Sequence, residues 1–391
     1  MEDLDYQKEL AWELLSSGIT ETDLELQPDL ALLPPGAGLT ADLAIPFPDD
    51  LAPVPQPIDP PPSPSAELPR ADVLVVTWTV DEVQALADVL TPGFGRDRWY
   101  RYDRKFAQYD PQIRRGAPAK IAKRLGSYML TKIGDKSVLC FKSELHLNQD
   151  GIESPANPGN ATLPVRAMFH QLIDEVKPSL VLTVGTAGGV FQEHDLGDVV
   201  VTRGAKFRVK REFKNAPFAG KSYKCDWDLP TGRFDKAVEL MAKFQDNLAE
   251  PEFLPPTKNF TIPGPLPTPS RPNKPDIKLD GRDMPAFHPI LTTDYFEFGT
   301  SGNHLDHEGA AVEMGDAVLG LVLEERKAAG QSTPNWAVVR NCSDPQINGD
   351  LKNKPAKQSV QALWAVYYYK GFGYWTSVMS ALATWGIVAG L

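Results

Sequence analysis

The segment SLVLTVGTAGGV, residues 179–190, carries a run of apolar and β-branched side chains into a turn that holds Gly185, Gly188 and Gly189. An apolar run bounded by a turn fits a strand buried on both faces, as in a parallel sheet covered by helices. The glycines let the backbone come close to a ligand. Their spacing is not the dinucleotide-binding GxGxxG, and no P-loop lysine follows. Working outward, ADVLVVTW (71–78) reads as a second buried strand, followed by a helix over VDEVQALADVL (80–90). SVLCFKS (137–143) is a further strand, and TLPVRAMFHQLIDEV (162–176) has helical spacing stopped by Lys177-Pro178. Residues 197–213 predict one or two strands, 233–247 a helix, 289–298 a strand, 310–330 a helix and 336–344 a strand. A last helix starts near residue 355 and runs to 370 or beyond. This alternation predicts one α/β domain over 71–391, with a central mixed, mostly parallel sheet flanked by helices. Ligands in such sheets bind at the carboxyl ends of strands.

The 391 residues carry a formal net charge of −11, which argues against affinity for nucleic acid or for an anionic membrane face. Cys140, Cys225 and Cys342 are odd in number and widely spaced, so neither a disulfide framework nor a metal motif is expected, and the cytoplasm is the natural compartment. The acidic start, MEDLDYQKEL, lacks the features of a secretory signal. Gly371–Leu391 has no charged residue, yet Thr376, Ser377, Ser380, Thr384 and its glycines predict a buried terminal helix rather than a membrane span. Proline is abundant, 36 residues, roughly double the usual ~5%. Twelve of them fall in 34–70, which reads as an extended linker behind a short N-terminal helical segment within 1–33, suited to docking a partner. Nine more in 251–275 mark an internal loop or insertion.

Polar motifs sit at the predicted strand ends: Glu82 in TVDEV, Ser143 in FKSEL, Glu313-Met314 in AVEMGDA, and RNCSD (340–344), with LGDVVV (196–201) after the glycine turn. As an ordered set over residues 72–350, with an insertion at about 210–288, the series resembles the purine nucleoside phosphorylase and uridine phosphorylase superfamily. Within it, the chain is most similar to the nucleosidases that hydrolyse methylthioadenosine and S-adenosylhomocysteine. The resemblance implies that family's fold, a homo-oligomer, no cofactor, no metal, and hydrolysis of a purine N-glycosidic bond.

That chemistry needs an acid at the leaving base and a held water at the sugar. By the resemblance, Asp344 is the acid that protonates the purine, with Ser343 as its support, and Glu82, Ser143 and Arg340 hold the water. The resemblance also implies that Gly188, Glu313 and Met314 line the substrate pocket, with Phe296 either stacking on the purine there or serving as ordinary core packing. The family motif Glu-Met-Glu becomes Glu313-Met314-Gly315-Asp316 here, so either Asp316, one residue out of register, reaches the ribose as a substrate-binding residue, or the ribose is held differently. Phosphorylases of this superfamily place arginine before the glycine turn and in the loop after the first strand, where this chain has Thr183 and Asp81-Glu82. Carboxylates there repel phosphate, so hydrolysis is the better reading; a phosphorylase, or a non-catalytic nucleotide sensor, stays open as the alternative.

A basic segment, Arg203 to Lys214, stands out in an acidic chain. It is either a solvated edge strand or a wall in which Arg208 and Arg211 bind a 5′-phosphate. The second reading would make the substrate a nucleotide and suit a nucleotide-depleting effector in bacterial defence.

Overall fold

In the first apolar run, alternate side chains divide between two cores: Leu74 and Val76 enter one, Val73 and Val75 the other. The chain therefore forms a sheet buried on both faces. The computed structural model describes residues 43–191, 193–244, 275–279, 288–295, 297, 304–344 and 358–391, with side chains from 372 onward in the last of these.

Along the chain come β1 (Val54–Pro55), β2 (Val73–Thr77), helix α1 (Val80–Leu90), β3 (Tyr100–Tyr102), β4 (Gly126–Ile133) and β5 (Lys136–Ser143). Helix α2 (Pro164–Val176), β6 (Leu180–Gly189), β7 (Val199–Thr202), β8 (Gly204–Phe207), β9 (Ser222–Lys224) and helix α3 (Phe234–Ala242) follow. The last elements are β10 (Ile277–Leu279), β11 (Ile290–Thr292), β12 (Ala311–Glu313), helix α4 (Ala317–Ala328), β13 (Asn335–Asp344) and helix α5 (Gln358–Val388).

The strands form one mixed sheet in the order β1-β4-β5-β2-β6-β12-β11-β8-β9, with β13 pairing both β6 and β7. β5, β2, β6 and β13 run parallel; β4 on β5, β12 on β6 and β7 on β13 are antiparallel. Helices α2 and α4 cover one face, while α1, α3 and α5 cover the other. The sheet divides at the end of β6, where Gly188 pairs with Val312 of β12 on one side and Asp344 of β13 on the other.

Two expectations need correction. Residues 310–330 are not one helix: Ala311–Glu313 is a strand, and α4 begins after Asp316, whose N–H donates to the Glu313 carboxylate at 3.0 Å. The apolar residues read as helical spacing there are strand residues with neighbours on both sides. Residues 43–70 have little regular structure but are not a free linker. Phe47 packs its ring 5.0 Å from that of Trp385, and β1 pairs with β4. Leu68 is buried, with its N–H on Glu175 at 2.9 Å. Proline removes donors from an extended chain but leaves its apolar side chains able to pack. The N-terminal docking segment and the start of the proline-rich stretch, residues 1–42, lie outside the described residues, as do residues 251–274.

The insertion contributes to the core: α3 packs Ala237 and Met241 against the face covered by α5, and β10 pairs with β7. Helix α5 buries Val378, Met379, Leu382 and Trp385. Among the described residues no helix is long and apolar enough to cross a membrane.

Candidate active site

Glu82 lies in the first turn of α1 and closes a capping box. Its N–H donates to Thr79 Oγ1 at 3.4 Å, and its Oε2 accepts from the Thr79 N–H at 2.9 Å. The same oxygen accepts from Thr77 Oγ1 at 2.9 Å and the Trp78 N–H at 3.0 Å. Oε1 accepts from the Thr186 N–H at 2.8 Å and Thr186 Oγ1 at 3.0 Å, so the end of β6 is tied to α1 through this carboxylate. Burial raises the Glu82 carboxyl, but Arg340 and these N–H donors outweigh it and hold it below its ordinary value. Glu82 is an ionised residue at physiological pH.

Arg340, on β13, is its cationic partner, with Nη1 3.6 Å from Glu82 Oε1. The guanidinium grips Asp316 with two bonds, 2.8 Å from Nε and 2.6 Å from Nη2, and lies 3.4 Å from Glu313 Oε2. Its planar face lies 5.1 Å from the Trp78 ring centroid, within cation–π range. Three buried carboxylates thus surround one buried arginine. Burial and the adjacent Asp316 charge push the Glu313 carboxyl well up, against the pull of Arg340. The cluster is one in which a proton is readily kept.

Gly185 makes this packing attainable. A Cβ there would collide with both the Glu82 carboxylate and the Arg340 guanidinium. Gly185→Ala is therefore expected to destabilise the fold by about 1–3 kcal/mol, the range for overpacking, and to force the ion pair apart. Gly232→Ala, where a Cβ meets nothing within 4 Å, is the control. Urea unfolding of the two variants beside the unaltered protein checks this; a Gly185→Ala midpoint equal to the control's would contradict it.

Asp344 ends β13 after a register shift between Cys342 and Asp344, an irregularity that re-aims a strand-end side chain. Its Oδ1 accepts from Ser343 Oγ at 2.9 Å. A Cβ on Gly188 would stand 2.8 Å from its Oδ2 and 3.1 Å from Val312, so only glycine allows this approach. Burial pushes the Asp344 carboxyl up to about 7, with Ser343 pulling slightly the other way. Arg340 and Asp344 stand four residues apart on one strand, a span of about 13 Å at ~3.3 Å per residue.

Not every expected residue joins this constellation. Ser143 is buried, but its hydroxyl donates to Leu145 O at 2.8 Å and accepts the Leu145 N–H at 2.9 Å, which turns it into its own loop. Asp316 is committed to Arg340. Gly315 has space: a Cβ there would meet the Trp78 ring at 3.6 Å and Glu313 at 3.7 Å. Met314 Sδ lies 3.2 Å from Asn148 Nδ2, which brings the loop after β5 to the site. Phe296 lies outside the described residues. Asp294 receives the N–H groups of Lys210, Arg211 and Phe213 at 2.8–3.0 Å and so shapes the basic segment. Within it, Arg208 is clamped by Glu297 at 2.9 Å and 3.0 Å and by Glu308 at 2.6 Å, and Lys206 by Glu308 at 2.9 Å.

Sequence reasoning missed Trp78 and Thr186. Thr186 stood in the glycine turn and Trp78 at the end of the first strand, but their pairing with Arg340 and Glu82 joins segments about a hundred or more residues apart.

No protein-family model matches the sequence, and a comparison with curated proteins found no match. Among solved structures, the fold is similar to the 5′-methylthioadenosine/S-adenosylhomocysteine nucleosidase of Neisseria meningitidis in complex with methylthio-immucillin-A. That likeness has 12% identity and a TM-score of 0.43, and covers 82% of this chain and 100% of that one. It is similar to futalosine hydrolase of Helicobacter pylori at 14% identity and a TM-score of 0.43, covering 82% and 97%. A third likeness, to the 5′-methylthioadenosine/S-adenosylhomocysteine nucleosidase of Helicobacter pylori complexed with a substituted pyrrolidin-3-ol, has 14% identity and a TM-score of 0.44, covering 83% and 100%. All three are likenesses of fold to nucleosidase-type structures, spanning about four-fifths of this chain.

Proposed function

We propose that this protein hydrolyses the N-glycosidic bond of a purine nucleoside and releases the free base. The observation that carries the reading is Asp344: a buried carboxyl at a strand end, backed by Ser343 and pushed up to about 7. Such a group is available as an acid at neutral pH, which the departing base requires. At the other end of the site stands the ionised Glu82 with Arg340. Positive charge grows on the sugar as the bond breaks, and a nearby carboxylate stabilises it. With five donors already on its oxygens, Glu82 is a weak base. Its role is electrostatic and orienting: it and Arg340 fix and polarise a water beside the sugar carbon.

Arg340 is occupied by carboxylates, and Asp81 and Glu82 bring negative charge to the end of β2, a poor setting for a phosphate nucleophile. Arg208 is likewise neutralised by Glu297 and Glu308. The reading is therefore of hydrolysis and of a substrate without a 5′-phosphate; the geometry does not favour a nucleotide-depleting role. Homo-oligomerisation stays part of the proposal, and mass photometry at micromolar protein tests it.

The deciding experiment is chromatography of adenosine, methylthioadenosine and AMP after incubation, with and without phosphate. Adenine released from a nucleoside without phosphate is the expected result. Release only with phosphate would make the protein a phosphorylase, and no release a sensor. In the same assay Arg208→Ala is expected to leave the ratio of AMP to adenosine turnover within about threefold of the unaltered protein. A selective loss of about tenfold or more on AMP, the worth of one charge-assisted contact, would restore the phosphate wall.

A further inference from the structure

Apart from the site above, the described residues bring together one group of side chains with the chemistry of metal ligation: His304, Asp306 and His307. Their ligand atoms all lie within 4.8 Å of one another. The two imidazole rings are stacked, with centroids 5.5 Å apart and planes 18° from parallel, and Asp306 Oδ2 lies 3.9 Å from His307 Nε2. We propose that this turn binds a divalent transition metal that favours imidazole, such as zinc, through His304, Asp306 and His307.

The backbone beneath these side chains is held in place. The one-turn helix Leu305–His307 closes with His307 N–H on His304 O at 3.1 Å and Gly309 N–H on Leu305 O at 3.0 Å. Leu305 is buried against Val190, Leu291 and Val312 and anchors the turn to the strand that carries Glu313. The next residue, Glu308, is held by Lys206 and Arg208, so its carboxylate is already spent on those cations. The two histidines are exposed, while Leu305 between them is buried.

Two imidazoles and one carboxylate are a donor set for zinc, nickel or copper rather than magnesium or calcium, which prefer oxygen. A tetrahedral zinc with bonds of about 2.0–2.1 Å needs ligand atoms about 3.3 Å apart. From within 4.8 Å, small rotations of exposed side chains suffice. Water completes the coordination, since the turn faces solvent.

The test titrates zinc chloride into the full chain at pH 7.5 by calorimetry, in competition with a chromogenic chelator. One equivalent bound, weakened by about tenfold or more in His304→Ala and in His307→Ala, is the expected result. Zinc should raise the melting temperature of the unaltered protein and not that of the double variant. Both histidines are exposed, so the metal-free melting temperatures should agree, which separates lost ligation from misfolding. No binding, or binding that survives the double substitution, overturns the proposal. So does binding lost only in Cys225→Ser, which would place the metal on that thiol.

Discussion

Asp344→Asn is expected to lower base release by about 10²-fold or more, because an amide cannot give the departing purine a proton as a carboxylic acid does. In the unaltered protein kcat should fall as pH rises through about 7, as the acid form of Asp344 is lost. The pH arm of the variant should be flat there. Stability separates this role from a structural one. Burial holds the folded Asp344 above its ordinary 3.8, so the fold opposes its ionisation. Its favourable contribution is full at pH below 3.8 and lost as pH rises through about 7. Asparagine cannot ionise, so at pH 8 the variant should melt no lower than the unaltered protein. Activity within a few-fold of normal would remove Asp344 from the chemistry.

The second large effect concerns stability. Arg340→Leu strips the cation that Glu82, Glu313 and Asp316 share, and is expected to cost about 3–5 kcal/mol, the penalty for breaking a buried ion pair. Urea unfolding at pH 7 measures it. The loss should shrink at lower pH, because the remaining carboxylates take up protons more readily once the guanidinium is gone. Arg340→Lys should not rescue it, since an ammonium cannot make the two-bond grip on Asp316. A loss under about 1 kcal/mol, the range of exposed pairs, would mean that the cluster contributes little.

The parts legible in the sequence were those that local chemistry fixes. Val80–Leu90 is a helix residue for residue, because Thr79 caps it and Glu82 closes the box. The strands over 73–77, 136–143, 180–189 and 335–344 follow their apolar runs closely. The segment Ala311–Glu313 was misread because a short strand with partners on both sides carries the same apolar density as a helix start. Residues 43–70 were misjudged because proline content speaks of backbone donors and not of where Phe47 or Leu68 find a surface.

The candidate site divides along the same line. Glu82, Arg340 and Asp344 are named by the resemblance of their motifs, and the structure brings the first two together. That Asp316 belongs to Arg340, that Ser143 turns into its own loop, and that Glu297 and Glu308 neutralise Arg208 all depend on distant partners. No periodicity in a single chain records such pairings.

Helix α5 has a consequence for how the protein is made. It packs Val378, Leu382 and Trp385 with Val75, Leu182 and Val339, strand residues on the face that α1 and α3 also cover. It also steadies the residue beside Arg340: Asn341 Nδ2 donates to Ser380 Oγ at 3.0 Å and to Gly185 O at 2.9 Å. Synthesis is vectorial, so β2 and β6 leave the ribosome long before residues 372–388 do. Until those residues emerge, that side of the nascent sheet is covered only in part and is prone to aggregate. A chaperone that shelters that face during elongation therefore has a defined stretch of chain to wait for.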